Sequence, residues 1–444
     1  MLGLSLAWRL RQAGAEVSVY EAAPEFGGLA APWRIGPVTW DRYYHVILLS
    51  DLRLRALLRD LDLEREIVWR TVGSGLYADG RMHNLTSALD YLRLPVLPPL
   101  DKLRLALTIL GAARITDGSA LEDVPVEAWL TRRSGRAAFE RIWRPLLAAK
   151  LGENYKVASA AFIWAVIRRL YAARRSGMKV EKFGYVPGGY ARILDRLVDK
   201  LRAAGVALHA GAPIRRVGAR DGQPTLTFAD GQQRGFDRIV VTTAAGTAAR
   251  LCPELTAQER DRLTGIRYQG VVCASLLLET PLSPHYLAYI TDPGFPFTTV
   301  VQMSTLVDPA SFGGRHLVYL PRYVTAEDKL ADLPDTEIAA LFLDGLARMF
   351  PDFRPSHVQA LRIARTRDVL AVPTLGYSAR LPPVISSIPG LSLLSSAHIV
   401  NGTLNVDETV GLVDSHLPLL LREAPAGLAG THAAATPSPK AAIA

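Results

Sequence analysis

A glutamate and a pair of glycines near the start of the sequence have the types and spacing of groups that hold a dinucleotide. Glu21 ends a short apolar run, and Gly27 and Gly28 follow six and seven positions later. In a dinucleotide-binding βαβ unit, an acid at a strand end accepts a hydrogen bond from a ribose hydroxyl, and glycines let the main chain approach the pyrophosphate. The sequence therefore predicts a dinucleotide site here, with a solvated strand end and an ordinary loop glycine pair as the alternatives.

The residues before Glu21 predict the helix and the strand that position it. Apolar residues recur at helical spacing over residues 2–10, and residues 17–21 have the pattern of a strand. Gly3 corresponds to the third glycine of the unit, which allows the helix to pack closely on the strand. The first strand and the first two glycines are absent, so we expect about 15 residues of the unit to lie upstream of Met1. A chain beginning at Met1 would lack part of the N–H cradle, and we would expect it to bind a dinucleotide weakly.

Patterns typical of a nucleotide-binding domain return in the middle and at the end of the sequence. A glycine turn, a long amphipathic helix and two short strands occupy residues 187–219, and a continuous apolar strand occupies residues 237–243. A strand, a loop and a helix follow at residues 391–421. Helical and antiparallel-strand patterns separate these blocks. This order indicates an α/β fold in which a second domain is inserted into the first.

The composition excludes several other classes of protein. The sequence has 444 residues and a formal net charge of +9, which fits an anionic cofactor or substrate. The basic residues are scattered and form no nucleic-acid-binding module, so we expect no nucleic-acid partner. The two cysteines form no disulfide framework, and the nine histidines have no metal-ligand spacing, so we expect a cytoplasmic protein without a metal site. No stretch is long and apolar enough to span a membrane.

Four stretches together resemble the superfamily of FAD-dependent amine oxidases, protoporphyrinogen oxidases and phytoene desaturases. They are Glu21 with Gly27-Gly28, GPVTWDRYYHVILLSDLRLRALLRDLDL, VPGGYARILDRLVDKLRAAGVALHAGAPIRRV and LSLLSSAHIVNGTLNVDETVGLVDSHL. Each motif alone is weak, but their order and spacing cover most of residues 3–421. The resemblance implies an oxidoreductase that transfers hydride from an organic substrate, apolar or amine-like, to N5 of FAD.

With this resemblance the domain boundaries can be assigned. We predict a discontinuous Rossmann-like FAD-binding domain with an inserted α+β substrate domain. The FAD-binding domain comprises residues 1–50, 186–250 and 388–422, and the substrate domain comprises residues 51–185 and 251–387. Residues 423–444 are rich in alanine, proline, glycine and serine, and we predict a disordered tail.

The resemblance also assigns the cofactor-binding residues. It implies that Glu21 holds the adenosine ribose and that the glycines lie at the pyrophosphate. It places the main chain of Ile214 at the adenine and the loop before the last helix at the flavin. Asn405 can cap that helix and Glu408 can complete a capping box, so that the partial positive charge of the helix faces the flavin's N1–O2 edge. The implied cofactor-binding residues are Gly3, Glu21, Gly27, Gly28, Leu29, Ile214, Ser396, Thr403, Leu404 and Asn405. Leu29 stands where the family often has arginine, and Ser396-Ala397 replaces a glycine–aspartate pair, so these contacts depart from the family pattern.

Two residues are candidates for catalysis. His45 lies in the segment that the resemblance places near the flavin, where it could contact flavin or substrate or move a proton; a hydrogen-bonded histidine at a domain junction is the alternative. Tyr377 lies where the substrate domain returns to the FAD-binding domain, as an aromatic wall of the active site or as a packing residue.

Two other functions compete with hydride transfer. One is a redox-neutral flavin enzyme of the UDP-galactopyranose mutase kind, which also has a glycine pair and a histidine-bearing segment close behind it. The other is a truncated flavoprotein without activity, because part of the phosphate loop is missing.

The substrate is a small molecule whose identity the sequence leaves open. The leucine-rich residues 100–114 and the aromatic residues 162–171 fit either an apolar tunnel or ordinary core packing. Four arginines at the end of the second stretch allow association with an acidic membrane surface, and the alternative is that they complement the helix dipole. These arginines are Arg168, Arg169, Arg174 and Arg175.

Overall fold

A computed structural model describes residues 1–86, 88–174, 182–422 and 440–444. The helices are α1 (Leu2–Gln12), α2 (Leu52–Asp60), α3 (Ala88–Arg93), α4 (Pro99–Arg114), α5 (Val126–Ser134), α6 (Arg136–Ala138), α7 (Arg144–Leu151), α8 (Ala160–Arg174), α9 (Gly189–Ala203), α10 (Ala245–Leu251), α11 (Ala257–Thr264), α12 (Asp335–Met349), α13 (Tyr377–Arg380) and α14 (Val406–Arg422). The strands are β1 (Glu16–Glu21), β2 (Pro32–Ile35), β3 (Val38–Asp41), β4 (Ile47–Leu48), β5 (Val68–Thr71), β6 (Gly73–Ala78), β7 (Arg81–Asn84), β8 (Lys182–Tyr185), β9 (Ala207–Ala210), β10 (Ile214–Arg220), β11 (Gln223–Phe228), β12 (Gln233–Gly235), β13 (Arg238–Val241), β14 (Tyr268–Leu278), β15 (His285–Ile290), β16 (Thr299–Gln302), β17 (His316–Val324), β18 (Val358–Ala371), β19 (Leu391–Leu393) and β20 (Lys440–Ile443).

A five-stranded parallel sheet in the order β19-β13-β20-β1-β9 forms the centre of the first part of the molecule, with a layer of other elements on each face. All four strand pairs are parallel. Helices α1, α2, α9 and α14 pack on one face. On the other face lie helices α10 and α11 and the small antiparallel sheet β10-β11-β12. Because both faces are covered, β13 has a continuous buried apolar run, Ile239–Val241. This is the Rossmann-like arrangement that the sequence predicts.

The end of the chain differs from the expectation of a disordered tail. Residues 423–439 of that tail lie outside the described residues, but Lys440–Ile443 form strand β20 in the middle of the parallel sheet. Ala441, Ala442 and Ile443 are each less than 5 % exposed. Alanine, proline, glycine, serine and threonine make up most of the tail, and the short segment at its end is what pairs with the sheet.

A mixed sheet of seven strands organises the second part of the molecule, in the order β18-β14-β17-β16-β15-β6-β7. Its strands pair antiparallel except for β15 and β6, which are parallel. Helix α12 covers one face, and the hairpin β2-β3 with the segment that follows it covers the other. Helices α4, α5, α7 and α8 form a separate helical cluster that contacts β18 through Leu370. Within the described ranges, no helix has both the length and the apolar content needed to cross a bilayer.

Helix α2 lies closer to the parallel sheet than the assigned boundary at residue 51 implies. Leu54, Leu57 and Leu58 are buried in the same cluster as α1 and α14. Asp407, in the first turn of α14, accepts hydrogen bonds from the main-chain N–H groups of Arg53 and Leu54 at 2.8 and 2.9 Å. The carboxylate thus satisfies donors at the start of α2, which have no partner within their own helix. Helix α2 is therefore tied to the layer of the parallel sheet.

Candidate functional site

The glycine pair lies where the chain leaves β1 and passes the start of α9. Gly27 has φ +130°, and a Cβ at this position would lie 2.7 Å from Cδ1 of Leu194 on α9. Gly28 has φ +58°, is exposed, and has no atom within 4 Å of its Cβ position. A side chain at either position would be strained, and one at Gly27 would also clash. Leu29, which follows, packs at the edge of the apolar cluster under the seven-stranded sheet.

Glu21 and the segment before Ile214 lie side by side. The main-chain oxygen of Glu21 accepts a hydrogen bond from the N–H of Ala212 at 2.9 Å. The Glu21 carboxylate accepts one from the N–H of Ala23, also at 2.9 Å, which holds it at the carboxyl end of β1. Ligands of open parallel sheets bind outside this end of the strands. Glu21 and the start of β10 therefore form one edge of the candidate cofactor site.

The N-terminal end of α1 forms the next part of this site. The Met1 nitrogen lies 3.5 Å from the main-chain oxygen of Gly27. The N–H of Ser5 is bonded to the main-chain oxygen of Met1 at 2.9 Å, so the N–H groups that precede it in α1 have no partner within the helix. Free N–H groups beside an open glycine main chain fit a diphosphate. The residues present in this region therefore fit an adenine dinucleotide.

The loop before α14 forms the opposite part of the site. The Oδ1 atom of Asn405 accepts a hydrogen bond from the N–H of Glu408 at 2.9 Å, which confirms that Asn405 caps α14. Its Nδ2 atom donates to the main-chain oxygen of Thr403 at 2.8 Å. The Glu408 carboxylate lies 3.8 Å from Nη1 of Arg53. The cap fixes the loop and directs the partial positive charge of the helix start toward it.

A small cavity lies between this loop, the end of β18 and helix α8. Most side chains that line it are apolar and none carries a charge, while polar atoms make up about half of its exposed surface. Phe162, Val369, Leu370, Ala371, Pro373, Ser396, Ile399, Gly402 and Leu404 line it. Of the predicted site residues, Ser396 and Leu404 thus meet in one cavity. The arrangement places apolar side chains against the loop that Asn405 holds.

Tyr377 supports this loop rather than lining the cavity. Its hydroxyl donates a hydrogen bond to the main-chain oxygen of Ala397 at 2.8 Å, and the side chain is 5 % exposed. Burial raises the pKa of Tyr377, so the hydroxyl stays protonated. The contact orders the turn that contains Ser396. The proposed catalytic role of Tyr377 stays a prediction.

His45 lies in a different small cavity, at the start of α9. Its ring is tilted against Tyr190 with the centroids 4.7 Å apart, and its Nδ1 atom lies 3.8 Å from Oδ2 of Asp41. The Oδ1 atom of Asp41 accepts a hydrogen bond from the N–H of Tyr190 at 2.7 Å. Burial raises the pKa of Asp41 to about 7, against the opposing effect of this hydrogen bond, and burial lowers the pKa of His45 to about 4. Between about pH 4 and pH 7 the two buried groups are therefore a protonated acid and a neutral imidazole.

Besides the Asp41–His45 pair, the structure contains a second polar cluster, formed by Lys150, Tyr323, Tyr44, Gln269 and Asn154, which the sequence did not predict. The Nζ atom of Lys150 on α7 donates a hydrogen bond to the hydroxyl of Tyr323 on β17 and lies 3.7 Å from the centroid of its ring. The hydroxyl of Tyr44 lies 3.3 Å from that of Tyr323. Burial lowers the pKa of Lys150. Nearby, the buried Gln269 accepts a hydrogen bond from Asn154 at 3.0 Å, and its Nε2 atom has no partner among the described residues. No motif links these residues in sequence.

The two described arginines of the predicted membrane-binding group make internal contacts. Arg168 donates a hydrogen bond to the main-chain oxygen of Thr116 at 2.8 Å, and Arg169 lies 3.3 Å from the Asp51 carboxylate. The side chain of Arg174 and the whole of Arg175 lie outside the described residues. Membrane association remains a prediction. Among the described residues, no group of side chains is arranged to hold a metal ion.

Comparison with known proteins identifies the family of the chain. Residues 2–401 match the family of flavin containing amine oxidoreductases. The chain is similar to a carotenoid phi-ring synthase from Streptomyces griseus, with 26 % identity over 426 residues, which cover 88 % of this chain and 80 % of that protein. It is also similar to a coproporphyrinogen III oxidase from Propionibacterium freudenreichii subsp. freudenreichii, with 24 % identity over 323 residues and 58 % coverage of each chain.

A solved structure shares the fold over nearly the whole chain. An oxidoreductase from Methanosarcina mazei superimposes with a TM-score of 0.73 at 18 % sequence identity, and the match covers 94 % of this chain and 98 % of the other. The overall fold described above thus occurs in a known oxidoreductase. With the family match across residues 2–401, the chain belongs to the flavin-containing amine oxidoreductases and is an FAD-dependent oxidoreductase.

Proposed function

We propose that the chain oxidises a neutral or anionic organic substrate with a large apolar part, rather than an alkylamine. When bound, FAD supplies the hydride acceptor, and the protein positions the substrate and excludes water. The observation that carries the proposal is the cavity between Phe162, Leu370 and Leu404, whose lining contains no carboxylate. Such walls bind hydrocarbon surface well and offer no counter-charge to an ammonium group.

The position of this cavity relative to the cofactor loop supports the proposal. Leu404 directly precedes Asn405, the cap of α14, and the resemblance places this loop at the flavin. A substrate carbon held against Leu404 would therefore be close to the flavin. The cavity is small, so a large substrate requires the side chains of α8 and β18 to move apart.

The second polar cluster argues against an ammonium group in the same region. Ammonium ligands are often held on aromatic faces. In this structure the face of Tyr323 is already occupied by the Lys150 amine. Lys150 and the free Nε2 donor of Gln269 instead suit an oxygen atom or a carboxylate on the substrate. The two curated relatives, a carotenoid phi-ring synthase and a coproporphyrinogen III oxidase, are consistent with a large unsaturated substrate.

The test is an anaerobic titration of the FAD-loaded protein. Polyenes, porphyrinogens and alkylamines are added in turn, and the visible flavin band is followed without added reductant. We expect a polyene or a porphyrinogen to bleach the band and an alkylamine to leave it unchanged. Bleaching by alkylamines alone would contradict the proposal. A redox-neutral mutase would show no bleaching with any of these compounds but a covalent flavin–sugar adduct after reduction.

A matched pair of lysine variants tests the polar cluster. For a carboxylated substrate, Lys150→Met is expected to raise the substrate concentration needed for half-maximal flavin reduction about tenfold, because one charged hydrogen bond is lost. Lys156→Met is the control, since Lys156 is exposed and its ammonium group forms a surface ion pair with Glu153. An equal effect of both substitutions would contradict a substrate contact at Lys150.

A further inference from the structure

The last described segment of the chain occupies the central position of the parallel sheet. Strand β20 pairs with β1 on one side, with Val17 opposite Ala441 and Val19 opposite Ile443. On the other side it pairs with β13, with Ile239 opposite Ala442. Neighbouring strands are about 4.8 Å apart, so without β20 a gap about two spacings wide would separate β13 from β1. Both of these strands would then carry unpaired main-chain groups inside the core.

The segment is held at both of its ends as well as along the ladder. The N–H of Lys440 donates to the Asp237 carboxylate at 2.7 Å. At the other end, the N–H of Ala444 donates to the main-chain oxygen of Val240 at 3.0 Å, and the N–H of Thr242 donates to the oxygen of Ala444 at 2.6 Å. These bonds fix the register of the segment and bring Ala444 to the carboxyl end of the sheet.

Side chains of the segment alternate between the two cores. Ala441 and Ile443 belong to the cluster under α1, α9 and α14, whereas Ala442 and Ala444 belong to the cluster on the opposite face. All four are at most 8 % exposed. Because successive side chains of a strand point to opposite faces of the sheet, a shift of the pairing register of β20 by one residue would move every side chain to the other face. Ile443 would then no longer face α1.

The segment also lies against the start of α1. A Cβ on Gly3 would lie 3.2 Å from Cγ2 of Ile443. In space, β20, α1 and β1 thus have the arrangement of a parallel βαβ unit. The strand in the first position, β20, comes from the opposite end of the sequence. In a dinucleotide-binding unit, the end of the first strand and the N–H groups at the helix start are what surround the pyrophosphate.

We propose that residues 440–444 are part of the FAD site, and that FAD binds tightly only when β20 is in place between β13 and β1. The proposal rests on the FAD cofactor of the family and is independent of the substrate proposed above. Docking of β20 supports the cofactor through α1: it sets the distance of α1 from β1, and with it the place of the free N–H groups beside Gly27. The peptide itself needs no side chain that contacts FAD.

The coupling must be reciprocal, which gives a test on the intact protein. If docking of β20 favours FAD binding, FAD must favour docking of β20 by the same factor. We expect added FAD to slow hydrogen exchange of the amides of residues 441–444 at least tenfold, together with those of β1. The amides of α12, on the far face of the other sheet, serve as the internal control. Unchanged exchange at residues 441–444, with saturating FAD shown by quenching of its fluorescence, would overturn the proposal.

A matched pair of variants tests the same coupling from the other side. Ile443→Asp places a carboxylate at a side chain that is 1 % exposed, whereas Leu341→Asp makes the same kind of change at a side chain of α12 that is 45 % exposed. We expect Ile443→Asp to raise the Kd for FAD at least tenfold and Leu341→Asp to change it less than twofold. If Ile443→Asp does not fold, the exchange experiment on the unaltered chain decides. Tight FAD binding by a folded Ile443→Asp protein would contradict the proposal whatever the substrate is.

Discussion

Cγ2 of Ile443 lies 3.2 Å from the position that a Cβ atom on Gly3 would occupy. Oγ1 of Thr242 lies 3.3 Å from the same position. Two residues at opposite ends of the sequence thus define how closely α1 approaches the sheet. The close approach of Ile443 on β20 and of Thr242, which follows β13, therefore explains the glycine in the first turn of α1.

Gly3→Val should destabilise the protein and weaken its affinity for FAD. The added side chain would overlap Ile443 and Thr242, and overpacking of this kind costs about 1–3 kcal/mol. Urea unfolding and FAD fluorescence titration measure the two effects. Gln12→Val adds a valine at an exposed position of the same helix and should leave both nearly unchanged. A Gly3→Val protein with the stability of the parent would show that α1 can shift freely.

Gly189→Ala should cost more than the change in backbone conformation alone. Gly189 has φ +67°, and its Cβ would lie 2.8 Å from Oδ1 of Asp41, the atom that binds the N–H of Tyr190. Gly211 has φ +65° and no atom within 4 Å of its Cβ position, so Gly211→Ala reports backbone strain alone, about 1–2 kcal/mol. We expect Gly189→Ala to lower the free energy of unfolding by roughly a further 1–3 kcal/mol, because the buried hydrogen bond is disturbed. Equal losses in the two variants would contradict the contact.

Asp41 and His45 should have opposite effects on stability as pH changes. The folded-state pKa of Asp41 is raised to about 7, so folding favours its protonated form, and its contribution to stability is lost as pH rises from about 4 to 7. The folded-state pKa of His45 is lowered to about 4, so folding favours its neutral form, and its contribution is lost as pH falls from 6.5 to about 4. Between about pH 4 and 6.5 the pair binds about one proton in the folded state and about one in the unfolded state. The pH-dependent contributions of Asp41 and His45 to stability therefore nearly cancel.

Variants of the pair separate the two effects. In His45→Gln, Asp41 remains, and the free energy of unfolding should fall by roughly 1 kcal/mol per unit as pH rises from 4 to 7. In Asp41→Asn, His45 remains, and the same quantity should rise from pH 4 to 6.5. Denaturant unfolding at several pH values measures both slopes. Slopes of the same sign in the two variants would show that one of the assigned directions is wrong.

Tyr377→Phe should reduce activity only modestly. The hydroxyl is buried, protonated and bonded to the main-chain oxygen of Ala397, so we expect it to hold the turn at Ser396 and not to transfer a proton. Its loss should cost about 1 kcal/mol of stability and slow anaerobic flavin reduction by less than about tenfold. A group that acts as a general acid or base contributes about 10²–10⁴-fold. A loss of that size, with stability unchanged, would restore Tyr377 as a catalytic residue.

Local patterns were sufficient to predict the parts of the site that depend on neighbours in sequence. The cap of α14 by Asn405 was predictable because the donor at Glu408 is three residues away. The position of Glu21 at the end of β1 followed from the apolar run before it, and the glycine pair after it has the positive φ angles that glycine permits. The order of these segments was enough to predict the family, the cofactor and the Rossmann-like sheet.

Contacts between distant segments were decided only by the tertiary structure. The segment Lys440–Ala444 has too few residues to show a pattern of its own, and it becomes a strand because β13 and β1 offer two edges to pair with. Lys150 meets Tyr323, and Asp41 meets the start of α9, across 173 and 149 positions of sequence. The physical reason is that local spacing specifies helices, turns and caps, whereas burial and charge arise from which elements pack together. The sequence alone therefore determined the cofactor class, and only the fold decided which distant segments contact one another.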